Sequence, residues 1–212
     1  NLIQAQYDLT KKSRLKKFYE KNNIIIFSFI FFLIIVFISF SFYIESKNNK
    51  KVLLSENYVQ AKIYLEKGEN IKALNVLKEV IYAGDSTYST LSLFLILDQK
   101  LITDHRELSL LYDHLLEENK FDKEIENLII FKKALLDSNF ETESILLDTL
   151  KPLLNKETMW KPHALLLLGD YFMSKKEHVK AIEFYQKIFT ISNLQKDLYD
   201  RARSQLDLIS NE

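Results

Sequence analysis

The side chains that most often carry chemistry are sparse and scattered in this chain. Its four histidines are His105, His114, His163 and His178, and neither an H-E-x-x-H motif nor a closely spaced pair occurs. Helical zinc sites place histidine ligands one turn apart, so we expect no metal site. The chain also has no cysteine, which excludes disulfides, thiol catalysis and cysteine-ligated metals.

Carboxylates and glycines give no sign of an active site either. Glu117 and Glu118 lie beside a lysine in a helical pattern, where a solvated helix face explains them better than general acid–base catalysis does. The only glycines are Gly68, Gly84 and Gly169, which stand too far apart to form a phosphate-binding or dinucleotide-binding loop. We therefore expect a protein that is not an enzyme and that uses no cofactor.

One segment, residues 24–44, has the composition of a membrane span. Its 21 residues carry no charge, and seven of the 15 phenylalanines of the protein fall inside it. As a helix it would be roughly 30 Å long, which is the thickness of the hydrocarbon core of a bilayer. The apolar core of a secretory signal is shorter and ends at small residues, so we expect an uncleaved signal anchor.

The charges that flank the span predict its orientation. Residues 1–23 hold six basic and two acidic side chains, a net charge of +4, whereas Lys47, Lys50 and Lys51 follow the span more loosely. By the positive-inside rule, residues 1–23 form a cytoplasmic basic tail and residues 45–212 lie on the other side of the membrane. The basic run lies at the membrane surface, so it favours contact with anionic lipid headgroups over nucleic-acid binding.

The remaining residues, 45–212, have the composition of a single all-α domain. They hold 23 basic and 27 acidic side chains, a net charge of −4 that gives no reason to expect a nucleic-acid partner. With three glycines and two prolines in the whole chain, the tight turns of an all-β domain cannot be built. Periodic apolar residues predict helices of about four turns joined by short links, and 46–51 is the expected place for a break after the span.

Two segments of the predicted domain share a pattern. The first segment has a small residue, an aromatic residue, an alanine and then a large residue four positions further on, and the second repeats this order 108 residues later. Small residues allow two helices to approach closely, and this order is typical of tetratricopeptide repeats. The expected packing residues are Ala61, Tyr64, Ala73, Leu77, Gly169, Phe172, Ala181 and Tyr185. The segments between the two copies do not show the pattern clearly.

In a stack of such repeats, the first helix of each pair lines a concave face. Aligned on the pattern, the candidate protein-binding groove consists of Tyr58, Lys62, Leu65, His163, Leu166, Asp170 and Met173. The alternative for these residues is contact with solvent or with a neighbouring repeat. Trp160 precedes a predicted helix and fits core packing, with a position in a ligand groove as its alternative.

Taken together, these features resemble a known family. The charged run Arg14–Tyr19, the Gly-Glu-Asn-Ile-Lys-Ala unit at 68–73, Trp160–Ala164 leading to Leu168–Asp170, and Leu198–Ala202 are similar to bacterial inner-membrane tetratricopeptide proteins that include the ancillary subunit of the SecYEG translocon. The alphaproteobacterial subgroup resembles this chain most in the last two elements. The resemblance implies a single-pass inner-membrane protein whose periplasmic domain meets newly secreted proteins or periplasmic chaperones beside the translocon.

Two functions of different kinds remain open at this point. The first is a membrane-anchored scaffold that holds peptides or proteins in its groove near the translocon. The second is an envelope-assembly scaffold, acting in cytochrome biogenesis or cell division without contacting translocating chains. The residues alone do not separate them.

Overall fold

The computed structural model describes residues 14–155 and 157–210, which form nine helices and no strand. The predicted all-α class is therefore confirmed. The helices are α1 (Arg14–Glu66), α2 (Asn70–Tyr82), α3 (Ser86–Asp98), α4 (His105–Glu118), α5 (Lys123–Asp137), α6 (Glu143–Leu154), α7 (Lys161–Ser174), α8 (His178–Ile188) and α9 (Lys196–Ser210).

The chain divides into two compact units, one up to Leu53 and one from Leu54 onward. In the first unit, α1 has a kink at Asn22, where φ is −122° and ψ is 19°. Residues 46–51, where we expected a break, are helical. No residue there is a glycine or a proline, which are the usual helix breakers.

The apolar part of α1 is the one helix among the described residues that is long and apolar enough to cross a membrane. None of this stretch is buried in the protein, and Phe37, Phe42 and Ile24 are 74%, 69% and 80% exposed. A helix in the core of a soluble domain would be covered, so this one needs an apolar environment from outside the chain. Residues 45–53 are exposed as well, and the second compact unit begins at Leu54.

In the second unit, local sequence signals set the ends of the helices. Gly84, with φ of +70°, follows α2, and this left-handed conformation is one that glycine adopts without strain. The Asp85 carboxylate accepts hydrogen bonds from the backbone N–H groups of Thr87 and Tyr88, and so caps the start of α3. Asp104 caps α4 in the same way, through the N–H groups of Arg106 and Glu107.

The core of the second unit consists of two apolar clusters. One is built mainly from α2, α3 and α4 and contains Leu77, Leu93 and Leu111. The other is centred on α7, which buries nine of its 14 residues, and extends through α8 to Leu198 and Ala202 of α9. Helix α5 contributes to both clusters. Consecutive helices make most of the contacts, and α7 with α8 is the most closely packed pair.

Candidate protein-binding groove

The structure places the residues of the repeat pattern at helix contacts. Ala61, Ala73 and Leu77 are fully buried, while Tyr64 is half-buried. In the second copy, Gly169, Phe172, Ala181 and Tyr185 are all buried.

Gly169 is the position where the closest helix contact needs a small residue. A methyl group at Gly169 would lie 2.3 Å from Cε1 of Tyr185, which reaches across from α8. No side chain larger than hydrogen fits there unless the ring moves. The glycine on α7 and the tyrosine on α8 therefore fix how closely these two helices approach.

The turns that join the two helices of each copy are the same. Gly68 and Lys176 both adopt the left-handed conformation, with φ of +74° and +62°. The N–H of Glu69 donates to the carbonyl of Tyr64 at 2.9 Å, and the N–H of Glu177 donates to the carbonyl of Phe172 at 2.9 Å. This six-to-one hydrogen bond is the Schellman motif at a helix C-terminus. The two segments thus share backbone geometry as well as sequence.

Side chains beside the two turns also match. Lys72 pairs with Glu69 at 2.5 Å and lies over the Tyr64 ring at 5.7 Å. Lys180 pairs with Glu177 at 2.9 Å and lies over a ring, that of Phe172, at 4.8 Å.

Lys180 has a further partner. Besides pairing with Glu177 of its own copy, its amino group donates a hydrogen bond to the Glu143 carboxylate of α6 at 2.8 Å. The hydrogen bonds to Glu143 and then to Glu177 raise the pKa of Lys180 to about 12. The lysine therefore joins the last copy to the preceding helix.

A third copy of the turn occurs where the sequence pattern was unclear. Lys100 is left-handed, with φ of +49°, and the N–H of Leu101 donates to the carbonyl of Ile96 at 3.0 Å. Counting from this turn, Leu93 takes the place of Ala61. The N–H of Leu108 donates to the carbonyl of Asp104 just before α4, as the N–H of Ala73 donates to the carbonyl of Glu69 just before α2. Leu108 therefore takes the place of Ala73. Large residues at the small positions explain why the copy was missed.

The remaining pair, α5 and α6, departs further from the pattern, and one departure is a buried carboxylate. Ala134 and Asp137 precede Gly169 and Phe172 by 35 positions, so a carboxylate replaces the aromatic ring. Asp137 is 2% exposed, accepts a hydrogen bond from Thr149 at 3.2 Å and lies 3.5 Å from the Lys133 amino group. Burial raises the pKa of Asp137 despite these two partners.

Three of the predicted groove residues lie together on one cavity. His163, Leu166 and Asp170 of α7 line a space of about 220 Å³ with side chains from α5 and α9. The other lining residues are Phe131, Leu135, Leu167 and Arg201. Leu166 is only 4% exposed, so it forms the floor of the cavity and offers little surface, because neighbouring helices cover it.

The other predicted groove residues are not part of this cavity. Met173 is half-buried further along α7. On α1, Lys62 is exposed and Leu65 is half-buried, while the half-buried Tyr58 packs against Tyr88 of α3 with 6.3 Å between the ring centroids.

The α7 cavity has an apolar floor and a charged mouth. The Tyr185 hydroxyl donates to Oδ1 of Asp170 at 2.7 Å, and burial, followed by this carboxylate, raises the pKa of Tyr185. Arg201 is 3.9 Å from the other carboxylate oxygen, with its side chain 64% exposed. The guanidinium is thus held loosely and can bind a second acceptor. This arrangement can bind a polar or charged group above apolar surface.

Trp160 packs beside the same cavity. Its ring centroid is 5.4 Å from that of Phe131 and 5.4 Å from that of His163. The half-buried indole contributes to an aromatic cluster that links α5 to the start of α7, as its core-packing interpretation expects.

Sequence reasoning missed a larger cavity between α3 and α5. It has a volume of about 530 Å³, and its wall includes Leu91, Phe94, Phe121 and Ile125. These residues belong to the copies whose pattern is unclear, so no register was available to place them. The aromatic residues Phe94 and Phe121 were the available signal.

The chain matches no protein-family model, no curated protein and no solved structure.

Proposed function

We propose that this protein is a membrane-anchored scaffold that binds other proteins and catalyses no reaction. The observation that carries the proposal is the cavity on α7, which is lined by three of the seven residues chosen as a groove from the sequence pattern. The uncovered apolar stretch of α1 supports membrane attachment.

The groove is proposed to follow a tetratricopeptide-like stack. Three turns each have a left-handed residue at the same position and the same six-to-one hydrogen bond, and they support repeated helical hairpins. One cavity is lined by α3 and the start of α5, and the other by α5, α7 and α9. These would be the first helices of successive pairs and the closing helix. In such a stack these helices face one extended concave surface.

The proposed location is the bacterial inner membrane, crossed once, with the N-terminus in the cytoplasm and residues 45–212 in the periplasm. The net charge of +4 before the span supports this orientation. Anchoring confines the domain to a thin layer, which raises its effective concentration against partners at the same membrane. Weak groove contacts would then be enough to hold a partner.

The proposed partners are the SecYEG translocon with newly secreted proteins or periplasmic chaperones. The resemblance of the ordered motifs supports this choice, and a binding groove on a membrane-anchored domain is compatible with it. Neither the groove nor the span calls for nucleic acid or metal.

Site-specific crosslinking in living cells tests the function. A photoreactive amino acid replaces His163 or Met173 in the full chain, and Leu110, which is 62% exposed on α4, serves as the matched control position. We expect adducts with secreted proteins, chaperones or translocon subunits from the two α7 positions and far fewer from Leu110. Equal adducts from all three positions would contradict a groove.

The alternative function, an envelope-assembly scaffold in cytochrome biogenesis or cell division, shares the same groove. Identification of the adducts by mass spectrometry separates the two. Adducts confined to assembly machinery, without translocon subunits or secreted chains, would replace the first proposal by the second.

A further inference from the structure

The cavity between α3 and α5 has two lysines that lack a carboxylate partner. Lys120 lies on its wall, and the Lys132 amino group lies 4.9 Å from the centroid of Phe94, which also lines it. Within the described residues, neither lysine makes an ion pair. Lys132 is half-buried next to the cavity and has the face of an aromatic ring as its partner.

The neighbouring lysine shows that this is not general in the protein. Lys133 is next in sequence and points to the other side of α5, where it pairs with Asp113 at 3.1 Å and with Asp137 at 3.5 Å. Lysines next to the hairpin turns, such as Lys72 and Lys180, are also paired with carboxylates. Other described lysines, such as Lys100 and Lys176, also make no ion pair, so Lys120 and Lys132 differ from them in lying beside the apolar cavity.

The wall of the cavity selects an apolar group. Leu91 and Ile125 are 41% and 44% exposed, and the Phe94 and Phe121 rings complete the apolar wall. A volume of about 530 Å³ exceeds that of any single side chain, so more than one residue of a partner would enter. Asp122 also lines the cavity and offsets the charge of Lys120, so the second positive charge comes from Lys132 beside Phe94.

We propose that this cavity binds an extended protein segment in which large apolar side chains alternate with carboxylates. The apolar side chains fill the space between α3 and α5, and the carboxylates pair with Lys120 and Lys132. This inference rests on the proposed scaffold function and adds to it the chemistry of the segments that are bound. It gives the scaffold a preference for acidic, apolar segments over basic ones.

Binding to the full chain in nanodiscs of zwitterionic lipid tests the preference. The probe is a fluorescein-labelled peptide of alternating Asp and Leu, and its counterpart has Lys in place of Asp; empty nanodiscs correct for lipid binding. Fluorescence anisotropy should show tighter binding of the acidic probe, weakening as salt is added. Equal affinity for the two probes, or binding to empty nanodiscs alone, would overturn the inference.

Charge reversal locates the binding site. Lys120→Glu with Lys132→Glu should weaken binding of the acidic probe about tenfold, as expected for the loss of two exposed ion pairs, and should favour the basic probe instead. Lys175→Glu is the matched control, because Lys175 also lies over a ring, that of Tyr171 at 5.4 Å, but outside the cavity. An equal loss in the control would overturn the inference.

Two neutral substitutions complete the test without charge reversal. Leu91→Asn removes apolar wall at a partly exposed position, so it should weaken binding while leaving the melting temperature near that of the parent. Asp122→Asn removes the opposing charge and keeps a good N-cap residue, so it should tighten binding of the acidic probe. If neither substitution changes the affinity for the acidic probe, the probe binds elsewhere and the inference is wrong.

Photocrosslinking from Leu91 in cells separates this inference from the function on which it rests. Partner adducts from both Leu91 and His163, with no charge preference in the peptide assay, would retain the scaffold and reject the segment chemistry. Absence of partner adducts from both positions would reject the scaffold itself. Adducts only between copies of this chain from Leu91 would assign the cavity to self-association and overturn the inference.

Discussion

At the scale of single residues, the contact between Gly169 and Tyr185 shows how one atom sets a helix spacing. The hydrogen at Gly169 leaves room for the ring of Tyr185, whose hydroxyl also donates a hydrogen bond to Asp170. Alanine has the better helix propensity, but here its methyl group would require the ring to move. Propensity and packing therefore oppose each other at this position, and packing has the larger effect.

We predict that Gly169→Ala lowers the free energy of unfolding by about 1–3 kcal/mol, because overpacking costs more than the gain in helix propensity. Thermal unfolding followed by circular dichroism measures the change. In a Tyr185→Leu background the ring is gone, and the same substitution should cost much less. Equal losses in both backgrounds would show that the ring is not the cause.

Asp137 is the residue at which the repeat pattern carries a charge instead of a ring. Its pKa is raised above the ordinary value of 3.8, chiefly by burial. A raised carboxyl pKa means that the folded protein binds the proton more tightly than the unfolded chain does. The contribution of this group to stability is thus largest below the unfolded pKa and falls as pH rises through the folded pKa.

We predict a pH-dependent difference between the parent and Asp137→Asn, whose side chain does not titrate. The free energy of unfolding of the parent should improve relative to that of the variant as pH falls from neutral towards 3.8. Denaturant titrations of both proteins at several pH values measure this difference. Ser138→Ala, at the next and more exposed position, is the control and should show a constant difference.

At the scale of helices, most boundaries could be predicted because turn and cap residues act locally. Gly84 ends α2 and Asp104 begins α4 for reasons that lie within a few residues of each position. The two central pairs could not be assigned to the repeat, because Leu93, Leu108 and Asp137 occupy positions where the pattern expects another residue type. Only their burial and the Lys100 turn reveal the register. Likewise, the α3–α5 cavity depends on side chains distant in sequence.

The helix caps give a prediction with an internal contrast. Asp104 accepts two backbone hydrogen bonds at the start of α4, whereas Asp122, at the same position before α5, makes no side-chain cap bond. Asp104→Ala should therefore lower the free energy of unfolding by about 1 kcal/mol, and Asp122→Ala by clearly less. Thermal melts of the two variants, compared with the parent, test this. A larger loss at Asp122 would contradict the cap assignment.

At the scale of the whole molecule, the apolar stretch of α1 would determine where the proposed scaffold acts. The sequence was sufficient to predict it, because a long uncharged apolar helix has few stable environments in water. The exposed phenylalanines of α1 agree with that prediction. The side of the membrane depends on flanking charges alone, so it calls for a direct measurement.

We predict that protease added outside spheroplasts digests residues 45–212 and spares the basic tail, since the net charge of +4 before the span favours the cytoplasm. Immunoblots with tags at either end report the fragments, and a cytoplasmic protein shows that the membrane is intact. Protection of the large domain would reverse the orientation and exclude a periplasmic partner. Reversing the charges of Lys16, Lys17 and Lys21 should weaken the preference.

The two apolar clusters also have a consequence for how the domain opens. Helices that contact mainly their neighbours can unfold in parts, and α5 is the helix at which Ile129 belongs to one cluster and Ile130 to the other. The halves on either side of α5 are thus candidates for separate units of amide hydrogen exchange. A polypeptide lying along both cavities would connect these units and add its binding free energy to the cost of opening either one. Binding of that polypeptide and the cooperativity of unfolding would then be two measures of the same equilibrium between closed and opened domain.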